Sequence, residues 1–176
     1  MTKEQYETRL EDYGAKKIGK GLYANIFSIP KTDKVVKVAG LDQWPVYIKW
    51  ATENGYAGKF APKVTSLKFF DDYYVAVMER LVATYSEYRT SKLRDSITDQ
   101  DKLYNAMTWH KDYSEGDFGS DFLDFVNELK SEGLGGDMHD GNIMIRKDGQ
   151  IVITDPTSRQ FDSERFRIKS GKIEAR

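Results

Sequence analysis

The chain has 176 residues, a formal net charge of −1 and no cysteine. This length is enough for one good core or for two small lobes that share a cleft, and an aromatic content of 13% is typical of a folded globular protein. A balanced charge without a long basic run predicts no nucleic-acid partner, and the lack of cysteine excludes a disulfide scaffold and cysteine-based zinc sites.

The first element is predicted to be a short helix at the N-terminus. Thr2 is suited to cap this helix and Gly14 to end it. Its apolar positions share one face and are Tyr6, Leu10 and Tyr13. The segment is too polar for a signal peptide, and no apolar stretch of the chain approaches membrane-spanning length. We therefore expect a soluble intracellular protein with no membrane partner.

A β-rich segment follows, and it is predicted to form the first of two lobes, over about residues 1–80. Short apolar runs bounded by turn residues predict strands over 16–19, 23–29 and 34–39, and a hairpin over 64–70 and 73–78. Pro45 stands where the first turn of a helix tolerates proline, which predicts a helix over 44–54 that Gly55 ends.

The rest of the chain, over about residues 81–176, has helical patterns typical of a second lobe. Weakly amphipathic segments predict helices over 86–94 and 98–109, followed by a polar loop over 111–120. A stronger helix ends near Gly133 and has i, i+3, i+4, i+7 spacing at Phe122, Phe125, Val126 and Leu129. The C-terminal segment is polar and mildly basic, which predicts a solvated tail or one more short helix.

The most informative segment is residues 135–158, GGDMHDGNIMIRKDGQIVITDPTS. Its two apolar runs, 143–145 and 151–153, are predicted to be strands, and the Asp148-Gly149 pair between them is a strong hairpin signal. A hairpin that folds back at this turn brings Asn142 and Asp155 side by side at its open end, although they are far apart along the chain.

The polar residues around this hairpin are of the types that phosphoryl transfer needs. The carboxylate of Asp137 can accept the proton of an attacking hydroxyl. Asn142 and Asp155 supply the hard oxygen donors that Mg²⁺ prefers. The ordinary alternative is that polar residues before a hairpin are only caps and turn formers.

Two features of the first lobe suit a nucleotide phosphate. A glycine-containing loop joins two strands and would let the backbone approach a phosphate closely, although an ordinary hairpin turn is the alternative. The loop consists of Gly19, Lys20, Gly21, Leu22, Tyr23 and Ala24. Lys37 lies among apolar residues on a strand expected to be buried, where its ammonium needs a partner such as phosphate oxygens. The alternative is an edge strand on which Lys37 faces water.

The order of these parts resembles the protein kinase superfamily. More narrowly, GKGLYANIF, VVKVAG and GDMHDGNIM…ITDPTS look like the early serine/threonine protein kinases of autographivirus-type bacteriophages, over roughly residues 15–160. The resemblance implies an α+β, protein kinase-like two-lobed fold, with a small antiparallel-sheet N-lobe and a helical C-lobe that is truncated because little chain follows Asp155. It also implies one minimal kinase-like domain over residues 1–176.

The resemblance implies catalytic and metal-binding roles for residues of the second lobe. Asp137 would be the catalytic base that orients and deprotonates the acceptor hydroxyl. Asn142 and Asp155 would hold Mg²⁺ between the nucleotide phosphates. His139 would either touch the transferring phosphate or order the loop by a hydrogen bond.

The resemblance likewise implies nucleotide-binding roles. Lys37 would contact the α- and β-phosphates beneath the loop of residues 19–24, with Glu53 as a candidate ion-pair partner. Met78 would stand at the back of the adenine pocket. The backbone of Glu79 to Leu81 would supply the hydrogen bonds to adenine.

The function implied is transfer of phosphate from ATP, with Mg²⁺, to serine or threonine hydroxyls of host proteins in the cytoplasm of an infected bacterium.

A small-molecule phosphotransferase of the aminoglycoside-kinase type is one alternative, favoured by Asp-Met-His at 137–139 and by the lack of room for a peptide platform. A catalytically weak kinase-like module that binds a host protein is another, although a pure binder has no need of Lys37, Asp137, Asn142 and Asp155 together. The oligomeric state is left open.

Overall fold

The described part of the chain is α+β, with two units of tertiary structure. The computed structural model describes residues 1–84, 120–137, 140–146, 150–157, 166–170 and 172–175. The first unit is made of Met1–Ile48, Lys63–Arg80 and Arg159–Arg176, and the second of Lys49–Pro62 and Leu81–Ser158. The helices predicted over 86–94 and 98–109 lie outside the described residues, as does the Asp148-Gly149 turn. The interpretation of the chain as one kinase-like domain stays a prediction.

The first unit begins with the predicted helix, α1 (Lys3–Asp12). Thr2 and Gln5 form a reciprocal capping box at its start, which satisfies backbone N–H groups that have no partner within the helix. Gly14, with a φ of +84°, follows its end. Tyr6 and Leu10 pack on the core as expected, but Tyr13 is 73% exposed, because it lies beyond the last helical turn.

A five-stranded antiparallel sheet forms the centre of the first unit, and it confirms the predicted strands to within about a residue at most ends. Its order is β1-β2-β3-β5-β4, which places β3 in the middle. The strands are β1 (Lys16–Lys20), β2 (Ala24–Ser28), β3 (Lys34–Gly40), β4 (Val64–Phe69) and β5 (Tyr73–Glu79).

The two faces of this sheet are covered by different helices. Because side chains alternate along a strand, Val36 and Val38 lie on one face, where α1 packs against them with Tyr6 and Leu10. Lys37 lies on the other face. We call this the lysine face and define it by the paired residues of β3 and β5, which are Val35, Lys37 and Ala39 with Met78, Ala76 and Tyr74. Helix α2 (Trp44–Glu53) begins against this face and is followed by Gly55, with a φ of +76°.

The second unit contains helix α3 (Ser120–Ser131), so Ser120 belongs to this helix and not to the predicted loop. The predicted apolar face is buried: Phe122, Phe125, Val126 and Leu129. Phe122 and Phe125 pack in an aromatic cluster whose other members are Trp50, Tyr56 and Phe60. This cluster supplies much of the apolar burial on which the described part of the unit depends.

A small sheet completes the second unit. It has the order β6-β7-β8 and consists of β6 (Ala83–Thr84), β7 (Ile143–Ile145) and β8 (Ile151–Ile153). Ile143 pairs with Ile153, which confirms the predicted hairpin. The guanidinium of Arg146 donates to the carbonyls of Lys59 and, at 3.0 Å, Ala61, so the segment after α2 is fastened to this hairpin.

The prediction of a tail or a helix at the C-terminus is wrong. The segment forms a two-stranded antiparallel hairpin, β9 (Phe166–Lys169) and β10 (Lys172–Ala175), within the first unit. Ile168 pairs with Ile173, which is buried, and Ser170 has a φ of 50° at the turn. Among the residues that the structure describes, no helix combines the length and the apolar character needed to cross a membrane.

Candidate active site

Backbone hydrogen bonds of the second unit gather the segments that carry Asp137, Asn142 and Asp155. The Thr154 N–H donates to the Asn142 carbonyl at 2.7 Å, which continues the β7–β8 ladder by one residue and leaves Asp155 as the next position. The Asp137 N–H donates to the Pro156 carbonyl at 2.8 Å. The segment 154–156 is therefore bonded at its first residue to Asn142 and at its last residue to Asp137.

The side chain of Asn142 is oriented by Asp137. Its amide nitrogen donates to the Asp137 carbonyl at 2.8 Å and to the Asp137 carboxylate at 3.3 Å. Because both of these partners are acceptors, the amide must present its nitrogen to them and its oxygen to the other side. These hydrogen bonds therefore direct the amide oxygen of Asn142 away from the carboxylate of Asp137. This oxygen is the atom of the side chain that suits a hard cation.

The donor set fits Mg²⁺ better than a transition metal. In the described part of the chain, no three His, Asp or Glu side chains come together as a metal cluster. The candidate ligands are instead one amide oxygen, from Asn142, and one carboxylate, from Asp155. Mg²⁺ is commonly held by only one or two protein oxygens because the remaining positions are taken by water and by the phosphates of a nucleotide.

Thr157 is a further residue at this site. Its hydroxyl donates to the Asp155 carboxylate at 3.0 Å and so restricts the rotation of a candidate metal ligand. We expect Thr157→Val to weaken Mg-ATP binding by about 10-fold, the effect typical of losing a partner of a metal ligand. Thr157→Ser keeps the hydroxyl and should bind as the wild type does. Titration calorimetry checks both, and equal affinity for the valine and serine variants would refute this role.

The approach to Asp137 is set by the end of α3. The N–H groups of Gly133 and Leu134 donate to the carbonyls of Lys130 and Leu129, at 2.9 and 3.1 Å, in the pattern of a Schellman motif. The chain then passes so close to Lys130 that a Cβ on Gly135 would lie 3.2 Å from its Cγ. Burial lowers the pKa of Lys130. The Gly-Gly pair before Asp137 therefore has a packing reason at its first member.

Lys37 lies on the central strand of the five-stranded sheet and is only 4% exposed. The predicted buried strand is confirmed, and the alternative of a water-facing edge is wrong. Lys37 is opposite Ile26 on one neighbouring strand and Ala76 on the other. Met78 shares the lysine face and is buried, so the lysine and the residue predicted for the back of the adenine pocket belong to one surface of the sheet.

The glycine-containing loop closes by a hydrogen bond from the Gly21 N–H to the Ala24 carbonyl, at 2.7 Å. Leu22, at its tip, is 87% exposed. Neither Gly19 nor Gly21 is among the residues with positive φ, and an added Cβ would meet neighbours at 3.4 and 3.6 Å respectively. The fold alone thus makes only a modest demand for glycine at these positions, and the close approach of a phosphate to them stays a prediction.

The segment after Met78 has two of its backbone donors in use. The Glu79 N–H donates to the Lys63 carbonyl and the Arg80 N–H to the Asp33 carbonyl, each at 3.0 Å. A donor to adenine from the predicted segment, Glu79 to Leu81, would therefore have to be the Leu81 N–H.

Two predicted residues, Glu53 and His139, are not part of the arrangements described above. Glu53 is largely exposed on α2, and the ion pair that the structure gives it is with Lys49, one turn earlier on the same helix. His139 lies outside the described residues, so its two suggested roles stay predictions.

The sequence reasoning missed Trp44, which was identified only as the start of α2. The indole of Trp44 lies against the ammonium of Lys37, at 4.2 Å from ring centroid to nitrogen. It also missed Ile26 and Val35 as residues of the surface that carries Lys37. The period-two alternation of the strands could have shown these two, whereas the contact with Trp44 arises from tertiary structure and has no sequence signal.

Comparison with known proteins identifies the chain as a member of a protein kinase family. The family described as Bacteriophage T7 protein kinase 0.7 matches residues 3–172, nearly the whole chain, and the chain belongs to it. This match confirms the resemblance seen in the sequence. Membership of a protein kinase family implies the use of ATP, typically with Mg²⁺, and protein substrates. A search of curated proteins gives no match.

Proposed function

We propose that this protein transfers the γ-phosphoryl group of ATP to serine or threonine hydroxyls of host bacterial proteins, in the cytoplasm of the infected cell. The observation that carries the proposal is the hydrogen-bonded grouping of Asp137, Asn142 and the 154–156 segment within the second unit. A base and two oxygen ligands are the groups that such a reaction needs, because most of its catalysis comes from positioning and charge neutralisation.

Each residue has a distinct part in the proposed reaction. The acceptor oxygen forms a bond to the γ-phosphorus as the bond to the β-phosphate oxygen breaks, and the hydroxyl proton passes to the carboxylate of Asp137. Asn142 and Asp155 would hold Mg²⁺, which supplies neutralisation of the phosphate charge when bound. Asn142 also keeps the Asp137 carboxylate in place through its amide nitrogen.

A further group of residues, most of them in the first unit, would bind a nucleotide. We propose that Lys37 contacts its α- and β-phosphates and that the backbone of residues 19–24 covers them. The buried setting of Lys37 supports this role, since a charge–charge contact is stronger where water is excluded. Met78 and the backbone at Glu79 and Leu81 would contact the adenine, and His139 the transferring phosphate. We also propose that the protein has the two-lobed architecture of a kinase.

The test is phosphate transfer from γ-labelled ATP by the purified protein, in Mg²⁺, to the proteins of a bacterial lysate. We expect labelled protein bands whose acid hydrolysate contains phosphoserine or phosphothreonine, and we expect EDTA to abolish the labelling. Label confined to small molecules would favour the small-molecule phosphotransferase. Binding to host protein without any transfer of label would favour the binding module.

A further inference from the structure

The buried ammonium of Lys37 contacts an aromatic ring. Its nitrogen lies 4.2 Å from the centroid of Trp44, within the range of a cation–π interaction. Lys37 is 4% exposed and Trp44 is fully buried, so the contact is shielded from water. Cation–π attraction is strongest under such conditions, and tryptophan is the best of the aromatic partners.

The ring of Trp44 is itself held in a fixed orientation. It stacks on Tyr74 with a centroid distance of 5.6 Å and an angle of 4° between the planes. One carboxylate oxygen of Asp42 accepts both the Tyr74 hydroxyl and the Trp44 backbone N–H, each at 3.0 Å. Asp42 therefore ties the start of α2 to the ring on which Trp44 stacks.

These contacts place the ammonium as well as shielding it. Lys37 has four rotatable side-chain bonds, and an indole of fixed orientation restricts where its nitrogen can rest. Ala76, the residue opposite Lys37 on β5, contributes only a methyl group beside the lysine. Trp44 and Tyr74 belong to this same side of the sheet, so the ring, its support and the lysine form one packed layer.

We propose that Trp44 is a positioning residue for Lys37. Its indole holds the ammonium in the position from which it contacts nucleotide phosphates, and Asp42 and Tyr74 hold the indole. This inference rests on the proposed function, which assigns Lys37 to the phosphates. Trp44 itself touches neither substrate nor nucleotide in this proposal and acts only through the lysine.

A double-mutant cycle tests the coupling between the two side chains. Trp44→Leu and Trp44→Phe are made with Lys37 intact and with Lys37→Met, and kcat/KM for ATP and the affinity for Mg-ATP are measured. With Lys37 intact we expect Trp44→Leu to lower both by roughly three- to thirty-fold and Trp44→Phe to have a smaller effect. With Lys37→Met we expect no further loss from either. An equal loss in both backgrounds means that Trp44 only packs, and it would overturn the inference.

Trp50 provides the matched control, because it stacks on Tyr56 in the aromatic cluster of the second unit. Trp50→Leu should lower the midpoint of urea unfolding, yet its effect on kcat/KM should be the same whether or not Lys37 is present. If Trp44→Leu fails to fold, the comparison of Trp44→Phe with Trp50→Phe in both backgrounds decides the question.

A spectroscopic readout addresses the contact directly. In a Trp50→Phe, Trp109→Phe protein, Trp44 is the single tryptophan. Its emission should change on addition of Mg-ATP, because the phosphates draw on the charge of the ammonium that lies against the ring, and Lys37→Met should remove the change. Saturable binding with constant emission would overturn the inference. If instead Lys37→Met leaves kcat/KM unaltered, it is the assignment of Lys37 to the phosphates that fails.

Discussion

Asp137→Asn is expected to lower kcat for phosphate transfer by about 10²- to 10⁴-fold, while the affinity for Mg-ATP stays close to that of the wild type. The range is that of a general base, because an amide cannot accept the proton of the acceptor hydroxyl. The local structure should persist. The bond from the Asp137 N–H to the Pro156 carbonyl is a backbone bond, and the Asn142 amide can still donate to the oxygen of an amide at position 137.

Single-turnover transfer of labelled phosphate measures this effect, with calorimetry for nucleotide affinity. Asp124→Asn is the matched control, since Asp124 lies exposed on α3 in the same unit. It should have kcat within about two-fold of the wild type, as surface substitutions usually do. Equal turnover for the Asp137 and Asp124 variants would exclude Asp137 as the base.

Asp155→Ala is expected to remove the metal-dependent part of nucleotide binding, with a loss of at least about 100-fold in the affinity for Mg-ATP. Loss of an outer partner of a metal ligand typically costs 10- to 100-fold, so loss of the ligand itself should cost more. Asp155 is also the acceptor of the Thr157 hydroxyl, and its truncation leaves that donor without this partner.

The measurement is ATP binding with and without excess EDTA. The wild type should bind much more weakly in EDTA, and Asp155→Ala should bind equally weakly in both. Asp72→Ala, in the exposed turn between β4 and β5, should keep the metal dependence of the wild type. A variant at Asp155 that still responds to Mg²⁺ would show that the metal is held elsewhere.

The two substitutions separate two functions within one small grouping. A loss of kcat without a loss of affinity identifies a group that acts in the transition state, whereas a loss of affinity identifies ground-state binding of the metal and nucleotide. If instead Asp137 were needed for Mg²⁺ binding and Asp155 for turnover, the protein would still be a kinase. The roles proposed for these two carboxylates would then be reversed.

Local signals in the sequence were sufficient for most of the described elements. The capping residues of α1 and the glycines that follow α1, α2 and α3 mark helix ends by backbone chemistry that depends on near neighbours only. The β7–β8 hairpin likewise followed from two apolar runs and their spacing, and with it the approach of Asn142 to the residues before Asp155.

The C-terminal hairpin shows where such reasoning failed. Its strands alternate apolar and charged residues, and one of its apolar pairs joins the half-buried Ile168 to the buried Ile173. A polar segment with so few apolar positions resembles a solvated tail by composition, because an isolated two-stranded hairpin is marginally stable in water. The signals that could have predicted it were the period-two alternation of apolar and charged residues and the Ser-Gly pair at 170–171.

The sequence by itself determined the family, most of the strands and helices in the described part of the chain, and the residue types of the candidate site, since these depend on short patterns along the chain. Only the tertiary structure decided which contacts two of the long side chains make: Lys37 with Trp44, and Arg146 with the carbonyls of Lys59 and Ala61. A side chain with several rotatable bonds has many possible partners at similar local cost, and the packing of distant segments selects among them.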